Sequence, residues 1–155
     1  MMDPECFILE FTEMQAAAAA INKKNGFSTT DPLIDEFEDY FTTWIENGDI
    51  SEKNARFKPL FEAFRNARKG LKLALVMGEL GETLEAVRKN LGPDSHIPEF
   101  TSEEAEVADA IIRLMNYATD RKLRLAEAIV AKNEFNLNRS DHSKEARAGV
   151  NGKRF

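Results

Sequence analysis

The chain is predicted to be all-α, a helical bundle, and three observations carry that prediction. Apolar residues recur at steps of three and four in almost every segment. Helix-start signals stand at three places: Asp3-Pro4, Asp31-Pro32 and Thr101-x-x-Glu104. No stretch alternates apolar and polar residues as a half-buried strand would. With 155 residues the chain is long enough for one domain with a core and too short for two ordinary ones.

The first helix starts with Asp3 as cap and Pro4 at its first position, and runs toward Gly26, a candidate C-terminal glycine. Its five alanines, 16 to 20, leave room for a neighbouring helix or a ligand. Leu33, Phe37, Tyr40, Phe41 and Trp44 form one stripe of a second helix that Asn47-Gly48 closes. Ser51 or Pro59 is expected to open a third, with Phe57, Leu60, Phe61 and Phe64 on its apolar face. A fourth follows, whose core stripe would be Leu73, Met77, Leu80, Leu84, Val87 and Leu91, and "NLGPDSHIP" ends it. The capping box at Thr101 opens the next helix, and the last spans about Lys122 to Arg139. Residues 28–69 read as an inserted helical hairpin, and residues 140–155 as a basic tail.

Composition narrows function. The formal charge is −6 and the isoelectric point is near 5.1. That charge argues against a general nucleic-acid or anionic-membrane binder. Cys6 is the only cysteine, so neither a disulfide framework nor a thiolate metal site is available. No run of 18 apolar residues occurs, and the default expectation is a soluble cytoplasmic protein.

The chemistry-bearing residues are acidic. "MGELGETLEAVRK" (77–89) places Glu79 and Glu82 one turn apart on one face, and Glu106 and Asp109 repeat that spacing on the following helix. A short connection makes the two helices antiparallel neighbours, so the four carboxylates can face one another. Four such groups do not all stay ionised without compensation, and one or two Mg²⁺ ions would supply it. Pairs at the same spacing also occur at Glu10/Glu13, Asp35/Glu38 and Glu46/Asp49. Spacing alone therefore leaves a metal site and a solvated acidic seam both open. A di-iron bundle would need Glu-x-x-His, and zinc hydrolysis would need histidine or cysteine ligands. Neither His96 nor His142 follows an acid by three, and no phosphate-binding Gly-x-x-x-x-Gly-Lys-Ser/Thr loop is present.

On the last helix Leu125, Ile129, Lys132, Asn136 and Arg139 fall on one stripe that begins apolar and ends cationic. Those polar groups suit phosphate oxygens, and equally suit a helix C-terminus.

Acids on two helices followed by Lys-x-x-x-Asn-x-x-Arg on a third resemble the MazG-like all-α NTP pyrophosphohydrolases, with their dCTP pyrophosphatase and dimeric dUTPase relatives. The family pattern Glu-Glu-x-x-Glu, loop, Glu-x-x-Asp is similar to "GELGE" (78–82) and "EVAD" (106–109), with Gly78 in place of the first glutamate. The resemblance implies that Glu79, Glu82, Glu106 and Asp109 are catalytic metal ligands for Mg²⁺, with Mn²⁺ a possible substitute. It implies that Lys132, Asn136 and Arg139 bind the triphosphate. Ala19 and Arg113 stand where many members place a histidine and an aromatic, a departure that would alter the base pocket. The likeness covers roughly residues 12–27 and 70–142. It implies hydrolysis of an NTP or dNTP to the monophosphate and pyrophosphate by a homodimer or homotetramer. The alternatives are a phosphoribosyl-ATP pyrophosphohydrolase-like enzyme and a non-catalytic helical interaction module with a decayed metal site.

Overall fold

The computed structural model describes residues 3–25, 32–47 and 57–137. These form five helices: α1 (Pro4–Lys24), α2 (Pro32–Glu46), α3 (Phe57–Lys89), α4 (Ser102–Asp120) and α5 (Leu125–Leu137). Among the described residues there is no strand, only an isolated bridge between Pro93 and Thr101. No described helix is long and apolar enough to cross a membrane.

The start signals act as their chemistry predicts. The Asp3 carboxylate accepts from the Cys6 amide, and Pro4 occupies the first position of α1. At α4 the Thr101 hydroxyl accepts from the Glu104 amide, while the Glu104 carboxylate accepts from the Thr101 amide at 2.8 Å. Helix α3 ends at Asn90, whose φ of 50° is left-handed and turns the chain out of the helix. Gly26, Asp31, Gly48, Ser51 and the basic tail lie outside the described residues.

Helix α3 departs from the sequence reading. The helix expected after Pro59 and the one expected to carry the acids are a single unbroken helix of 33 residues. Gly70 lies within it, and nothing comes within 4 Å of the position a Cβ would take there. One interior glycine lowers helix stability by about 1 kcal/mol and does not break the hydrogen-bond ladder as proline would. The second arm of the expected 28–69 hairpin is therefore the first half of α3. Helix α2 folds against that half through a cluster of rings. Phe41 stacks on Phe61 with centroids 5.2 Å apart, Phe37 meets Phe64 edge-on at 5.9 Å, and Trp44 packs on Phe41 at 5.5 Å. Glu38 pairs with Arg68, closing the side of the cluster.

The main packing is α3 on α4, with α1 lying across α4 and α5 against α1. Two ion pairs fix the antiparallel direction: Glu79 with Arg113, and Lys72 with Asp120. Between them α3 and α4 bury Val76, Glu79, Ala86, Ala110, Met115 and Ala118. Gln15 Nε2 donates to Thr119 Oγ1 at 3.0 Å and ties α1 to α4.

The stripe expected as the core of this segment is not covered within one chain. Met77 is 71 % exposed and Leu84 67 %, and Leu73, Leu80, Val87 and Leu91 are exposed with them. Val76, Glu79 and Ala86 face α4 instead. Periodicity identifies an apolar face but not what covers it, and here the face turned to α4 is the one with small and acidic residues. Val107, Ile111 and Leu114 on α4 are also exposed.

Candidate metal centre

The antiparallel packing of α3 on α4 brings three of the predicted acids together. Carboxylate oxygens of Glu79, Glu82 and Glu106 lie within 4.8 Å of one another. Glu79 is buried, at 8 % exposure, and is the one buried charged residue among those described. Glu106 is half-buried and Glu82 exposed, so the cluster opens from the helix seam toward solvent.

Electrostatics reflect this crowding. Partial burial pushes the Glu106 carboxyl above the usual range, and the charges of Glu82, Glu79, Asp109 and Asp94 push it in the same direction. Asp94, on the connection between α3 and α4, was not singled out by spacing because it belongs to no helix. Its carboxylate accepts from the amides of His96 at 2.8 Å and Ile97 at 2.9 Å, which holds it charged.

The donor set can be tested against a divalent cation. Carboxylate oxygens are hard donors, and oxygens on opposite sides of a Mg²⁺ ion stand about 4 Å apart. A spread of at most 4.8 Å needs only a small inward movement to meet that spacing. Three carboxylates leave further positions for water and phosphate oxygens. The residues fit such an ion.

One cation already sits in the cluster. The Arg113 guanidinium donates through Nε to Glu79 Oε1. On sequence grounds Arg113 was expected to alter a base pocket; in the structure it neutralises one of the acids themselves. Glu85, one turn beyond Glu82, is paired with Lys89 at 2.6 Å and Arg88 at 2.7 Å, which lower its pKa. Nothing lies within 4 Å of a Cβ built on Gly78 or Gly81, so neither glycine is required by a close contact inside this chain.

The other predicted residues are placed as follows. Asp109 is exposed and stands outside the three-carboxylate group, on the wall of a cavity between α1 and α4. Lys132 and Asn136 are exposed on α5, and the Lys132 ammonium rests over the Phe135 ring, 4.9 Å from its centroid. Leu125 and Ile129 of the same stripe are half-buried. Among the described residues α5 packs on α1, and no hydrogen bond joins Lys132 or Asn136 to the acids. Arg139 lies outside the described residues.

No family model, no curated protein and no solved structure matches this chain. The likeness to MazG-like proteins therefore rests on the motif residues alone.

Proposed function

We propose that the chain is a Mg²⁺-dependent nucleoside triphosphate pyrophosphohydrolase that converts an NTP or dNTP to the monophosphate and pyrophosphate. The observation that carries this reading is the convergence of Glu79, Glu82 and Glu106 at the α3–α4 seam. When bound, Mg²⁺ would neutralise triphosphate charge and acidify an attacking water. Glu79, Glu82 and Glu106 would hold it, with Asp109 joining from the next turn of α4. Water attacks the α-phosphorus, the bond to the bridging oxygen breaks, and pyrophosphate leaves while the released proton passes to a carboxylate or to solvent. Lys132, Asn136 and Arg139 are proposed to engage the phosphates, as their order along the chain suggests.

The same reading includes a homo-oligomer, a dimer or tetramer. The exposed stripe 73-77-80-84-87-91 repeats at steps of four and three, the pattern of a helix seam. A second copy laid on that stripe would complete a four-helix core.

The test is a panel of NTPs and dNTPs with Mg²⁺, products being resolved by phosphorus NMR. Monophosphate with pyrophosphate is expected, and Glu82→Gln should lower turnover at least a hundredfold while the helical signal is kept. Orthophosphate as the only product, or undiminished activity in the variant, overturns the assignment. The Arg113–Glu79 pair favours a second reading, in which an internal guanidinium replaces the metal and the module is non-catalytic. That reading requires that millimolar Mg²⁺ leave the melting temperature unchanged, whereas a metal site should raise it.

A further inference from the structure

Arg113 holds Glu79 by a single bond. Its guanidinium reaches the carboxylate through Nε, and among the described residues this is its one hydrogen bond. A guanidinium has five N–H donors and grips a carboxylate best through two of them at once. Here one donor is used, and the Arg113 side chain is 39 % exposed while that of Glu79 is 10 %. Among the described residues no ion pair joins a cation to Glu82 or Glu106, although their carboxylate oxygens lie within 4.8 Å of one from Glu79. Arg113 also has a second place open to it. It lines a cavity of about 1060 Å³ between α1 and α4, walled on the α1 side by the short side chains of Ala17 and Ala18. Asn116, three residues further along α4 and so on the same side of the helix, lines that cavity too. Its Oδ1 and Nδ2 are both buried with no hydrogen-bond partner among the described residues, a state folded proteins seldom keep without a reason.

We propose that Arg113 is a two-position side chain that sets the affinity of the acid cluster for a divalent cation. On Glu79 it is the counter-ion of the metal-free cluster; when the cation binds, it yields Glu79 and moves into the cavity onto the Asn116 amide oxygen. The proposal deepens the reading of the cluster as a Mg²⁺ site and rests on it. Glu79 is buried, and a buried carboxylate left without a cation is strongly destabilising, so the metal-free protein needs Arg113 where it stands. A divalent ion carries twice the charge and meets three carboxylates, which outweighs one N–H bond, and it repels a guanidinium held at the same group. Asn116 favours the release, because the freed guanidinium exchanges a carboxylate for an amide oxygen instead of losing its partner outright. The result is a threshold: with Arg113 to displace, the cluster binds the ion more weakly than its three glutamates alone would.

The test uses the full chain with Mg²⁺ alone as the probe. Glutamate carboxyl carbon signals report binding, and the Arg113 Nε–H signal reports where the guanidinium stands. Mg²⁺ is expected to move both in step. Arg113→Met should tighten Mg²⁺ binding about tenfold and lower the melting temperature of the metal-free protein, because Glu79 loses its cation. Asn116→Leu should weaken Mg²⁺ binding about threefold in the otherwise unaltered chain and have no effect when combined with Arg113→Met. A guanidinium that serves only to orient Glu79 would keep its Nε–H signal in place throughout the titration, and Arg113→Met would then weaken Mg²⁺ binding; either result overturns the proposal and leaves the metal site standing. An equal effect of Asn116→Leu with and without Arg113 also overturns it, since the amide then acts through the fold alone. Absence of Mg²⁺ binding in both the unaltered chain and Arg113→Met removes the exchange and the metal reading together.

Discussion

Glu79 and Glu106 meet the same crowding in different ways. Glu79 is buried but has the Arg113 guanidinium beside it, whereas Glu106 has only like charges and partial burial, which raise its pKa. The sign of the consequence follows from linkage. A carboxyl whose folded-state pKa lies above its unfolded value, about 4.3, binds more protons when folded, so stability falls as pH rises through that window. At neutral pH ionised Glu106 is therefore a destabilising group in the metal-free protein. Glu106→Gln should raise the melting temperature at pH 7 and leave it nearly unchanged near pH 4. A fall at pH 7 would show that the carboxylate is compensated by a group not identified above. Asp94 and Glu104 act in the other direction. Backbone amides lower their pKa values, so their stabilisation is present above the unfolded value and is lost as pH falls through the folded one. The acids of the seam were legible in the sequence because spacing of three on two adjoining helices is geometry. Arg113 was not, because a side chain of that length reaches partners that periodicity does not specify.

At the scale of the helices, local signals determined where elements begin better than where one gives way to the next. Asp3-Pro4 and the Thr101 box each place a helix N-terminus, because the donors they satisfy lie within three residues. The run across residues 66–74 carries only a glycine as punctuation, and a glycine inside a long helix is tolerated when neighbouring turns are hydrogen-bonded on both sides. Gly78 allows a check of this balance. With open space around the position of its missing Cβ, Gly78→Ala should raise helix stability by about 1 kcal/mol and the melting temperature by about 2–4 °C. A loss instead would mean that something outside this chain packs against that turn. Thr101→Ala removes the cap of α4 and should lower stability by about 1 kcal/mol, measured by thermal or urea unfolding.

For the whole molecule, the exposed stripe on α3 decides what kind of folding unit this is. Among the described residues few large side chains are fully covered within one chain, and the faces of α3 and α4 turned outward hold Met77, Leu80, Leu84, Ile111 and Leu114. If a second copy covers them, folding and association are linked, and the melting temperature rises with protein concentration. Light scattering should give a mass of at least two chains, and Leu84→Glu should reduce it to one with a lower melting temperature. A monomeric mass for the unaltered chain would remove the oligomer from the reading. This was the part least legible beforehand. The stripe itself was visible at Leu73 through Leu91, but whether it meets α4 or the outside depends on which face the acids and small residues take.

The connection between α3 and α4 has a further consequence. Asn90 turns the chain, the Leu91 amide returns to the Ala86 carbonyl at 3.0 Å, and the Ser102 amide donates to the Gly92 carbonyl at 3.0 Å. The Asp94 amide donates to the Phe100 carbonyl at 2.9 Å, and Pro93 bridges Thr101. Bonded at so many points, this segment works as a spacer of set length. Each residue added to or removed from a helix rotates everything beyond it by about 100°. An insertion taken up by the first turn of α4 would carry Glu106 away from Glu79 and Glu82, even with all three glutamates retained. The acid cluster is thus encoded in part by a count, the number of residues from Ser102 to Glu106 along the first turn of α4, and a change in that count would turn Glu106 out of the cluster with every side chain retained.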